Sequence, residues 1–182
     1  MIISIEGIDG AGKNTLVRAL TSRIDASTLT FPRYDTSIHA QLAARALHGQ
    51  MGDLVDSAHG MATLFALDRY GAREVLDRYA DSDEVLLLDR YVASNAAYTA
   101  ARLKDDAAFD WVYDLEFGQL GLPVPHLQVL LGTSVDDTCP KAGSLRRNTH
   151  PGCLRKRWRT AGPYFCRLPA VSRETVGQSV AD

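Results

Sequence analysis

The sequence predicts an α/β fold, an open parallel sheet with helices packed on its faces, and three observations carry that prediction. Short apolar runs at 2–6, 85–89 and 127–131 alternate with longer stretches of helical periodicity. A glycine-rich turn joins the first apolar run to the first helical stretch. The run Val85-Leu86-Leu87-Leu88-Asp89 is continuously hydrophobic up to a terminal acid, as expected of a central strand covered on both faces.

The elements follow in order. Residues 2–6 form a strand, and Leu16, Ala19 and Leu20 repeat at helical spacing over 13–22. A brief strand at 27–31 stops at Pro32. Helical patterns cover 37–47, ended by Gly49, and 57–79. After the 85–89 strand come helices at 94–103 and 105–118, the Gly121-Leu122-Pro123 turn and another buried strand at 127–131. Beyond about Ser134 neither period persists, and Pro151, Pro163 and Pro169 interrupt the chain.

At 182 residues and 46% hydrophobic, the chain has the make-up of one soluble domain with its own core. No apolar run approaches the ~20 residues that cross a bilayer, and the start lacks a secretory leader's basic flank, so a cytoplasmic protein with no membrane partner is expected. Cys139, Cys153 and Cys166 are odd in number and contain no CxxC pair, which argues against a disulfide framework or zinc site. Charge is uneven: residues 1–138 hold 11 basic and 20 acidic groups, net -9, whereas 139–182 hold 9 and 2, net +7. This divides the chain into a core at 1–137 and an irregular basic tail at 138–182, whose abrupt onset suggests a shifted reading frame. Its unpatterned aromatics are weak grounds for a nucleic-acid arm, and no nucleic-acid partner is expected.

Gly7-Ile8-Asp9-Gly10-Ala11-Gly12-Lys13-Asn14-Thr15 fits GxxxxGK between a strand and a helix, where a phosphate-binding loop must sit. Its amides and the helix N-terminus suit phosphate oxygens, and Lys13 suits the outer phosphates. Asn14 stands where a hydroxyl residue normally touches magnesium, with Thr15 one place later.

Three segments suggest a phosphate acceptor. Asp89-Arg90-Tyr91 puts a carboxylate and a guanidinium at the ligand edge of the sheet, suited to hydrated magnesium and to a phosphate, although such a pair also serves as a structural ion pair. Asn95, Tyr98 and Arg102 fall at i, i+3 and i+7, one polar stripe or a solvated helix face. Phe65 and Arg69, at i and i+4, place an aromatic plate beside a donor fork, suited to a flat base with carbonyl edges, unless Phe65 is simply core.

GIDGAGKNT, FPRY at 31–34, MATLFALDR at 61–69, LLLDRYVASNAAY at 86–98 and LGLPVPHLQVLL at 120–131 together resemble thymidylate kinases, especially the actinobacterial form, over residues 1–137. The resemblance implies a nucleoside monophosphate kinase of the P-loop NTPase type, a homodimer that uses Mg²⁺ and transfers the ATP γ-phosphoryl group to dTMP. It implies that Asp9 lies between acceptor and metal and that Lys13 and Arg90 act on the phosphates, while Asp89, from its place at the strand end, is the second candidate for the metal. Phe65 would stack on thymine, Arg69 and Asn95 would read its edge, Tyr98 would crowd the sugar, Tyr34 would hold the monophosphate, and Phe31 would line the site. The lid arginines that the family carries should follow residue 137, where the tail stands instead. Another nucleotide kinase, or a silent nucleotide-binding protein, remains the alternative.

Overall fold

The computed structural model describes residues 1–132 and has the expected α/β architecture. Four parallel strands, β1 (Ile2–Glu6), β2 (Ala26–Thr30), β3 (Val85–Asp89) and β4 (Leu127–Leu130), lie in the order β2-β3-β1-β4. Between them run helices α1 (Lys13–Thr21), α2 (Ile38–Leu47), α3 (Ala58–Tyr70), α4 (Arg73–Ala80), α5 (Val92–Leu103) and α6 (Ala107–Tyr113). The unbroken apolar run of β3 is explained by its place, paired with β1 on one side and β2 on the other, with Leu86, Leu87 and Leu88 all buried. The main core gathers Ile2, Leu76, Leu86, Leu88, Tyr91 and Val112.

Several boundaries differ from expectation, each for a physical reason. The 57–79 pattern is two helices. The guanidinium of Arg33 reaches the Asp68 carbonyl as well as its carboxylate, and a Cβ at Gly71 would stand 2.9 Å from Arg33 Nη2, so α3 closes there around a long-range contact. The 105–118 pattern is α6 followed by a π-helical turn, Asp114–Gln119. A short 3-10 turn, Gly52–Asp56, was not foreseen. Strand β4 is not buried: Leu127 and Leu130 are 49% and 38% exposed, because among the described residues β4 pairs only with β1. No described helix is long and apolar enough to cross a membrane. The tail at 138–182 lies outside the described residues.

Candidate active site

The carboxyl ends of β1 and β3 set the site, as a parallel sheet dictates. Strand β1 runs into the glycine-rich loop and on into α1. Gly12 caps α1 with a left-handed backbone, φ 88°, a conformation that glycine adopts without strain. Gly7 lies so close to the next strand that a Cβ would sit 2.9 Å from the Leu131 carbonyl oxygen. Lys13, buried at the first position of α1, donates to the carbonyls of Gly7 at 3.1 Å and Ile8 at 2.8 Å. Burial, then the nearby Arg90 guanidinium, lower the Lys13 ammonium from 10.5 to about 8, against the opposing pull of Asp9, Asp89 and Glu6.

Arg90 follows β3 with φ 70°, left-handed for a residue that has a Cβ. Its backbone amide donates to the Ile5 carbonyl at 3.0 Å, tying it to β1. Its side chain donates through Nη2 to Asp9 and through Nη1 to Ser94 Oγ at 3.1 Å, and lies 5.7 Å from the Tyr98 ring centre. Ser94 in turn donates to the buried Glu6 carboxylate, which burial raises above the ordinary carboxylate range while Ser94 and Arg90 pull it back. Arg90 is thus braced from β1, the loop and α5 at once.

Asp9, Gly10, Gly12, Lys13, Asn14, Asp89 and Arg90 line one cavity, with Thr30 and Phe31. Gly7 and Ile8 are buried behind it, Ala11 is half-buried, and Thr15 is exposed and is not among the lining residues. The second cavity encloses about 930 Å³, its solvent-open mouth included. Phe31, Tyr34, Phe65, Arg69, Arg90, Asn95 and Tyr98 all line it, together with Arg102. The acceptor-side residues expected from the sequence therefore meet in one cleft, except Asp9, which lines the first cavity. Arg90 and Phe31 belong to both cavities and join them.

Local packing explains why. Phe31 is buried against Tyr91, ring centres 6.1 Å apart. Arg33 clasps Asp68, donating its amide to Oδ2 at 2.9 Å and Nε to Oδ1 at 3.0 Å, which anchors the 31–34 loop to α3 and leaves Tyr34 at the mouth. Phe65 packs with the Ala43, Ala46 and Met61 cluster and at the same time lines the cleft. Arg69 is buried and donates from Nε and Nη2 to Glu116, and Asn95 donates from Nδ2 to Glu116 at 2.8 Å and to the Ala62 carbonyl at 3.0 Å. Burial pushes the Tyr98 phenol up, with Arg90 opposing.

Three residues that sequence reasoning missed support the site: Glu6, Ser94 and Glu116. Each is buried and polar; Glu6 closes an apolar strand run and Glu116 is flanked by Leu115 and Phe117, a signal that could have marked them. A divalent cation fits the residues present. Asp89 Oδ1 is buried without a hydrogen-bond partner in a cavity that Asp9 also lines, and burial raises the Asp89 carboxyl. Among the described residues no three His, Cys, Asp or Glu side chains cluster as a metal cage. That suits magnesium, which takes one or two carboxylates and fills its shell with water and phosphate oxygens.

A family profile described as thymidylate kinase matches residues 5–149. The thymidylate kinase of Mycobacterium tuberculosis H37Rv is 46% identical over 186 aligned positions, which cover 98% of this chain and 86% of that one. The human thymidylate kinase is 27% identical over 161 positions, 86% of this chain and 72% of that one. Similarity thus continues past residue 137, where the sequence motifs give out, into residues that lie outside those described. Among solved structures, thymidylate kinase from Candida albicans superposes with a TM-score of 0.74 at 21% identity, covering 92% of this chain and 77% of that chain, a likeness of fold.

Proposed function

The chain belongs to the thymidylate kinase family, and from that premise we propose that it transfers the γ-phosphoryl group of ATP to dTMP, yielding dTDP and ADP. The observation that carries this is the convergence of Phe65, Arg69, Asn95 and Arg90 in one cleft that shares Arg90 with the cavity of Lys13.

ATP phosphates lie against the amides of Gly10 to Lys13, and Lys13 exchanges its bonds to the Gly7 and Ile8 carbonyls for the outer phosphates. Thymine stacks on Phe65, with its edge toward Arg69 and Asn95, while Tyr98 crowds the sugar and Tyr34 and Arg90 hold the monophosphate. An acceptor phosphate oxygen then forms a bond to the γ-phosphorus as the bond from that phosphorus to the β-bridging oxygen breaks. Little covalent chemistry falls to the protein, so alignment and neutralisation by Lys13 and Arg90 supply most of the rate. Asp9 and Asp89 would hold Mg²⁺, which would supply neutralisation of phosphate charge. The protein works as a cytoplasmic homodimer, an assignment supported by the family resemblance.

The test is a coupled assay of ADP release on the full 182-residue chain with dTMP, UMP, dCMP and dGMP. Turnover fastest on dTMP and abolished by EDTA is expected. Equal rates across the four acceptors would refute the base-site assignment, and dTMP binding without turnover would mark a silent binder.

A further inference from the structure

Glu116 is fully buried on the π-helical turn, and none of the chemistry assigned above uses it. Its carboxylate accepts three hydrogen bonds: from Arg69 Nε, from Arg69 Nη2 at 2.7 Å and from Asn95 Nδ2 at 2.8 Å. The last of these determines which way round the Asn95 amide sits. Its nitrogen also donates to the Ala62 carbonyl at 3.0 Å, so it faces two acceptors, one of them charged. Turning the amide over would set its oxygen against both and lose both bonds. Oδ1 is therefore the edge that Asn95 offers a ligand in the cleft. Arg69 is constrained the same way: Glu116 engages Nε and Nη2, and Nη1 is the nitrogen it does not.

We propose that Glu116 is a positioning residue that sets the base preference of the acceptor cleft, holding an acceptor at Asn95 and a donor at Arg69. That pattern complements a 4-oxo pyrimidine, whose ring N3–H donates and whose O4 accepts. A 4-amino pyrimidine presents the reverse, a lone pair at N3 against Asn95 Oδ1 and an N–H against Arg69. Sites built from buried polar groups reject such a mismatch far more strongly than apolar pockets reject a change of size. The turn itself presents the carboxylate at this point, its wider bonding visible where the Leu120 amide donates to the Leu115 carbonyl, five residues back, at 2.9 Å. This role depends on the base-site assignment made above.

Glu116→Gln tests it. Glutamine keeps the shape but carries one oxygen for the three N–H groups that Glu116 satisfies, so the charged half of the hold on the Asn95 amide is lost and the Ala62 carbonyl is left as its main restraint. The measurement is kcat/KM for dTMP, dUMP and dCMP on the full chain of both proteins, with a thermal melt of each. The dTMP:dCMP ratio should fall by about tenfold or more, while the dTMP:dUMP ratio stays where it was, since both are 4-oxo bases. Equal losses on dTMP and dCMP would overturn the role and leave the base site standing, making Glu116 structural only. A wild type that does not prefer dTMP to dCMP would instead overturn the base-site assignment. Because Glu116→Gln strips Arg69 of its counter-charge, a variant that does not fold is replaced by Glu116→Asp, which keeps the charge and withdraws it by one methylene. An unchanged dTMP:dCMP ratio in Glu116→Asp would overturn the role as well.

Discussion

Replacing Lys13 by methionine should change how the stability of the nucleotide-free protein responds to pH. Burial and the Arg90 guanidinium lower the Lys13 ammonium from 10.5 to about 8, a difference of about 2.5 pH units. Between those two values the unfolded chain binds the proton that the folded chain has released, so stability rises with pH across the window. At 1.36 kcal/mol per unit the upper bound is ~3.4 kcal/mol. Lys13 lines a cavity open to solvent, which screens its neighbours, so about half of that, ~1–2 kcal/mol, is expected. Methionine carries no such dependence, and the Gly7 and Ile8 carbonyls it leaves bare cost the same at either pH. Denaturant unfolding of both proteins at about pH 7 and about pH 10 isolates the Lys13 contribution. Relative to Lys13→Met, the native protein should gain ~1–2 kcal/mol over that interval. An identical gap at the two pH values would mean that Lys13 titrates near its ordinary value and that the buried, cation-crowded loop described above is wrong.

Arg90→Lys keeps the charge but cannot reach Asp9 and Ser94 together, so kcat/KM for dTMP should drop about 10²-fold in the coupled assay. On the proposed assignment Phe65→Ala removes the stacking plate, so the dTMP KM should rise by about tenfold or more while kcat changes less, because stacking would hold substrate and transition state alike. Gly7→Ala drives a methyl group onto the Leu131 carbonyl and should lower unfolding stability by about 1–3 kcal/mol, measured in denaturant.

The sheet and the phosphate loop were legible because their signals are local. An apolar run, a glycine turn and a lysine within 13 residues state both a strand-to-helix junction and a phosphate site. The residues that line the candidate acceptor cleft were legible through side-chain type and helical spacing, since Phe65 with Arg69, and Asn95 with Tyr98 and Arg102, each share a helix face. What escaped was set by contacts distant in sequence. The break between α3 and α4 depends on Arg33 reaching Asp68, 35 residues away, and no periodicity within 57–79 records it. The support for Arg69 comes from Glu116, 47 residues later, on a turn whose geometry departs from the α-helical period assumed for 105–118. A sign was present: Glu116 stands four residues after the buried Val112, where an acid without a partner would be costly, so a buried cation or donor was called for.

The left-handed backbone of Arg90 is held in place by the contacts of its own side chain. An arginine at φ 70° carries a local cost of about 1–2 kcal/mol that glycine would not. Glycine would relieve that cost but would also remove the donors to Asp9 and Ser94 and the positive charge beside the buried Glu6, so Arg90→Gly gives up more than the strain it removes. Libraries intended to harden this enzyme should leave position 90 untouched.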